Sequence, residues 1–94
     1  MRLSKEKVDF FKKTILNISK DARLYLFGSR VDNNKRGGDI DLLIVSKELT
    51  KRDLKEVRVK FYKHFGEQKV DIILDDGSFK DPFIKIIKNK AIAL

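Results

Sequence analysis

Apolar residues recur along the chain with two different periods. After Ser4, the residues Val8, Phe11, Ile15 and Ile18 fall three or four apart with Leu16 alongside, which predicts an amphipathic helix capped by the Ser4 hydroxyl. Arg23-Leu24-Tyr25-Leu26-Phe27 reads as a buried strand ended by Gly28. Residues Ser29 to Gly38 are polar, and Asn33-Asn34 and Gly37-Gly38 mark them as a loop. Asp39–Val45 follows as a second strand. Thr50 caps another helix, with Asp53 in its first turn, Leu54, Val57, Phe61 and Phe65 on one face, and Gly66 as its stop. Lys69–Leu74 is a third strand, closed by the turn residues Asp75-Asp76-Gly77. Asp81-Pro82 opens a last helix carrying Phe83, Ile84, Ile86 and Ile87, and Ala91–Leu94 is a short candidate strand. The order α-β-(short α/loop)-β-α-β-α-(β) predicts an α/β (α+β) layer structure. It has one mixed sheet with helices packed on it.

Length and composition narrow this picture. The 94 residues predict a single domain over 1–94 with one core. Without cysteine, a disulfide framework, a thiolate metal site and a cysteine nucleophile are all excluded. Apolar runs such as Leu42–Val45 are too short to span a bilayer, and no apolar stretch follows the charged start, so a cytoplasmic protein with no membrane role is expected. The net charge of +8 invites an anionic partner: nucleic acid, nucleotide phosphates or an acidic protein. Sixteen of the 22 basic residues are Lys scattered along helices, however, a pattern that a solvated surface also produces.

The acidic residues are more telling. Ten of the 14 are Asp, and Asp39, Asp41, Asp71 and Asp75 lie on or just after predicted strands, where Asp is normally depleted. Residues two apart in a strand share a face, so Asp39 and Asp41 project together at the start of an otherwise apolar strand. Such a pair resists full ionisation unless a cation lies between the two carboxylates, and their oxygens suit a hard cation such as Mg²⁺. Asp71 likewise begins an apolar strand between Val70 and Ile72, and joins the pair if the strands are neighbours. Asp75 shares its face by the same period but belongs to turn chemistry. Gly28 allows close backbone approach, and if Ser29 opens a short helix its free N–H groups can take an anion. His64, in the last turn of its helix, suits the helix dipole and is assigned no role; the regularly spaced Phe residues are expected in the core.

Taken together, Gly28-Ser29, a nine-residue interval that opens with Arg30, Asp39-Ile40-Asp41 and then Asp71 resemble the nucleotidyltransferase superfamily that includes polymerase β. The closest resemblance is to its small stand-alone branch, the minimal nucleotidyltransferases. It runs from about Leu24 to the C-terminus and includes Asp81-Pro82 before the closing helix; Gly37-Gly38 stands where many relatives have Ser. The resemblance implies Mg²⁺-dependent transfer of a nucleoside monophosphate, AMP from ATP above other triphosphates, by two metal ions. Asp39 and Asp41 would hold both ions and Asp71 the one at the acceptor hydroxyl. Gly28, Ser29 and Arg30 would bind the nucleotide phosphates, with Arg36 a further candidate. It also implies a protein acceptor: a helical HEPN-domain partner, a toxin for which this chain would be the antitoxin. So short a chain predicts that the acceptor site is shallow or is completed by that partner or by a homo-oligomer. Two alternatives are a catalytically silent binding antitoxin, which has no need of three clustered carboxylates, and an RNA-modifying or nucleic-acid-binding protein. The latter lacks a clustered Arg and aromatic stripe.

Overall fold

The computed structural model describes residues 3–31 and 38–94. Helix α1 (Lys5–Ile18) leads to strand β1 (Arg23–Phe27) and a single 3-10 turn at Gly28–Val31. Strand β2 (Ile40–Val45), helix α2 (Lys51–Phe65) and strand β3 (Val70–Asp75) follow, then helix α3 (Pro82–Lys90) and the two-residue strand β4 (Ile92–Ala93). The mixed sheet and the element order are those expected, with small shifts at strand ends. Asp39 precedes β2 instead of opening it, the third strand starts at Val70 and takes in Asp75, and the last strand keeps only its two central residues.

The caps explain where the helices start. Ser4 accepts from the Lys7 amide at 3.3 Å. Thr50 and Asp53 form a reciprocal capping box, each side chain taking the other's backbone N–H at 2.9–3.2 Å. Asp81 accepts from the Phe83 amide at 2.9 Å, and Pro82 begins α3 where no N–H is needed.

The sheet order is β3-β2-β1-β4. Strands β1 and β2 are antiparallel, whereas β2 and β3 are parallel, as a helical crossover through α2 requires. Alternation gives the sheet two unlike faces. Leu24, Leu26, Ile40, Leu42, Ile44 and Val70 point to the face covered by α1 and α2, where Phe11, Ile15, Val57 and Phe61 are fully buried. The rings of Phe11 and Phe61 stack there at 4.9 Å, locking the two helices together. On the opposite face Leu43 is buried beneath Ile84 and Ile87 of α3, with Tyr25, Phe27, Val45 and Ile73 half-buried around it. Most of the phenylalanines are packed as expected, but Phe83 on α3 is 60% exposed. No helix among the described residues is long and apolar enough to cross a membrane.

Candidate active site

Strand register brings the acidic residues together. In the parallel pair Asp41 stands directly opposite Asp71, and in the antiparallel pair it stands opposite Phe27, the residue before Gly28. Asp41 and Asp71 lie two residues before Leu43 and Ile73, so they share the α3 face, at the end of the sheet where β2 and β3 begin. Asp39 joins them through a common cation. The Lys69 ammonium lies 3.9 Å from Asp39 Oδ2 and 3.8 Å from Asp71 Oδ2. All three expected carboxylates therefore meet at one edge.

The electrostatics separate Asp41 from its neighbours. Burial pushes the Asp41 carboxyl above its ordinary range, and the negative charges of Asp71 and Asp39 push it further, with only Lys69 opposing them. The turn after β3 does the reverse: hydrogen bonds from Ser78 hold Asp76 below its ordinary range. Asp75 accepts from the Gly77 and Phe79 amides at 2.8 and 3.2 Å, so its carboxylate serves the turn and not the site.

Gly28 is placed by the end of β1 against Asp41. Its φ of 77° is left-handed, and a Cβ there would overlap Asp41 Oδ2 and lie 3.1 Å from Cγ. Only glycine admits the carboxylate so close to the backbone. Ser29 is the second residue of the 3-10 turn, and its side chain lies outside the described part of the structure, as does the whole of Arg36. Arg30 reaches the backbone that precedes β2. Its Nε donates to the Asp39 carbonyl and its Nη2 to the Gly38 carbonyl, both at 3.1 Å. Gln68 Nε2 also donates to the Gly38 carbonyl. The backbone that carries Asp39 is thus clamped by the turn after β1 on one side and by the segment before β3 on the other.

Lys69 and Gln68 were not singled out by the sequence. Lys69 was accessible to the same period-two argument, lying two residues before Asp71; nothing in the residue pattern marks Gln68.

The donor set fits a hard cation. Asp39 and Asp71 share one positive charge beside Asp41, and Asp41 is disfavoured as an anion until more positive charge arrives. The set is not preassembled: among the described residues, no group of three or more acidic or imidazole side chains is gathered tightly enough to hold a metal ion. A metal would have to take the place of the Lys69 ammonium, an exposed contact of the kind worth at most about 1 kcal/mol. The site is open. A hollow of about 400 Å³ lined by Ser46, Lys47, Leu74, Asp75 and Ser78 lies at the opposite ends of β2 and β3, away from these carboxylates.

Residues 8–94 match the model of one protein family, described as a nucleotidyltransferase domain. No curated protein matches the chain.

Proposed function

The chain belongs to the nucleotidyltransferase domain family, and we propose that it transfers AMP from ATP to a hydroxyl of a protein partner, with Asp39, Asp41 and Asp71 as its catalytic carboxylates. The observation that carries this reading is the register Asp41↔Asp71, with Gly28 against Asp41 and Asp39 sharing the Lys69 cation with Asp71. A nucleotidyl transfer centre needs such a cluster, because charge must be neutralised on both the entering and the leaving oxygen.

Two Mg²⁺ ions held by Asp39, Asp41 and Asp71 would supply that neutralisation when bound. The chain's own groups do the rest. The 3-10 turn at Gly28–Val31, with Ser29, receives the β- and γ-phosphates, and Arg30 adds positive charge beside them while keeping Asp39 in place. The acceptor oxygen attacks the α-phosphorus, the bond to the bridging oxygen of the β-phosphate breaks, and pyrophosphate leaves. Asp71, the most outward of the strand-borne carboxylates, draws the proton of the acceptor hydroxyl.

The acceptor we assign to this site is a helical HEPN-domain toxin, with this chain as its cytoplasmic antitoxin acting as one domain. The openness of the carboxylate edge supports a large acceptor that brings its own wall. The test is mass spectrometry of a HEPN partner encoded alongside, after co-expression with wild type or with Asp39→Asn. A gain of one or more nucleotide units with the wild type alone is expected. A second reading, a binding antitoxin without chemistry, is favoured by the incomplete metal cluster among the described residues. It predicts an unmodified partner neutralised equally by both forms.

A further inference from the structure

Helix α3 is apolar on more sides than the fold uses. Its nine residues include Phe83, Ile84, Ile86 and Ile87, yet only Ile84 and Ile87 are buried against the sheet. Phe83 and Ile86 are 60% and 57% exposed and lie one turn apart. A surface helix normally buries its apolar stripe, so an apolar face that extends well beyond the buried part marks a second contact. Its surroundings are mostly basic: Lys80, Lys85 and Lys90 are exposed, α3 itself contains no acidic residue, and the neighbouring Asp81 carboxylate caps the Phe83 amide. The helix also lies on the catalytic face, because Ile84 and Ile87 cover Leu43, two residues along β2 from Asp41.

We propose that the outer side of α3, Phe83 and Ile86 with their Lys80, Lys85 and Lys90 rim, docks an acidic amphipathic helix of the protein that supplies the acceptor hydroxyl. This rests on the transferase reading above and names where its partner sits. Charge complementarity selects the occupant. A second copy of the chain would set lysine against lysine, a juxtaposition that costs several kcal/mol at an interface. A nucleic acid would satisfy the lysines and leave the two apolar side chains unburied. An acidic helix with an apolar stripe satisfies both, and seated there it lies on the same side of the sheet as Asp41 and Asp71.

The probe is a fluorescein-labelled designed peptide, helical, with Leu along one face and Glu along the other, read by anisotropy without nucleotide or metal. Binding should weaken at least tenfold in Phe83→Gln/Ile86→Gln, which keeps every charge and uses a good helix former. It should be unchanged in Val59→Gln/Tyr62→Gln, which removes the exposed apolar pair of α2, and in Asp39→Asn. Amide shifts of the labelled wild type on titration with the peptide should centre on residues 82–90, a readout that needs no variant. Absent binding, equal binding by the α3 variant, or shifts centred on residues 51–65 would overturn the proposal. So would an α3 variant that loses instead a self-association, or binding to phosphatidylglycerol vesicles or to oligouridylate. Because docking is read without chemistry, a protein that binds the peptide through α3 but transfers nothing would retire the transferase reading alone.

Discussion

Substituting Gly28 by Ala tests the space that the proposed site leaves for the Asp41 carboxylate. Two costs follow from the geometry. An L-residue held at φ 77° loses about 1–2 kcal/mol relative to glycine. The new methyl also overlaps Asp41 Oδ2, so the carboxylate must swing aside; an off-rotamer side chain costs about 0.5–1.5 kcal/mol. The sum is about 1.5–3.5 kcal/mol, a fall in Tm of roughly 6 °C or more for a domain of this size. Urea unfolding of Gly28→Ala, Asp41→Ala and the double variant separates the two costs. Without the carboxylate only the backbone cost remains, so the coupling energy should be about 0.5–1.5 kcal/mol. Nucleotidyl transfer should fall about a hundredfold, the usual penalty for displacing a catalytic group by roughly 1 Å. A coupling energy near zero together with retained transfer would refute the reasoning, because Asp41 would then be indifferent to a side chain at position 28.

Three further outcomes follow from the same cluster. Mg²⁺ and ATP together should raise Tm more than the sum of either alone, and Asp39→Asn or Asp41→Asn should remove most of that synergy; equal synergy in all three proteins would count against the site. In metal-free protein the Asp41 carboxyl is raised, so its ionised form opposes folding: stability falls as pH rises from the unfolded value through the folded one. Asp41→Asn should therefore be more stable than wild type at neutral pH, with the gap closing in acid; a gap that widens in acid would reverse the sign. Lys69→Met removes the cation shared by Asp39 and Asp71, and isothermal titration should show Mg²⁺ binding about twofold to fivefold tighter, the range an exposed ion pair permits. Weaker Mg²⁺ binding would mean that Lys69 organises the carboxylates instead of competing for them.

Much of this arrangement was legible in the residues because local chemistry and global fold agree. Thr50 with Asp53, and Asp81 with Pro82, announce two helix starts whose caps the structure shows. The period of two placed Asp41 on the face of Leu43 and Asp71 on the face of Ile73, and the apolar Leu24–Phe27 run ends at Gly28 as expected. Strand order was not legible: that β2 lies between β1 and β3, with Asp41 level with Asp71, depends on pairings distant in sequence. Nor was the true start of β2. The ladder begins where the Ile40 amide reaches the Lys69 carbonyl, which leaves Asp39 to be held by Arg30 instead. On α3 the apolar residues span nearly half the circumference, so periodicity alone could not tell buried Ile84 from exposed Phe83. Ser46 was hidden for another reason. Its buried hydroxyl meets that of Ser19 at 2.8 Å and accepts from the Glu48 and Leu49 amides, a long-range link that no local pattern signals.

The most direct test of the central claim is which phosphate moves. The chain, Mg²⁺ and the HEPN-domain protein proposed as its partner would be incubated with ATP labelled at the α-phosphate or, separately, at the γ-phosphate. Nucleotidyl transfer at Asp39, Asp41 and Asp71 predicts protein-bound label from α-labelled ATP only, γ-label recovered as pyrophosphate, and neither product with Asp41→Asn. Protein-bound γ-label, or α-label incorporated undiminished by Asp41→Asn, would contradict it.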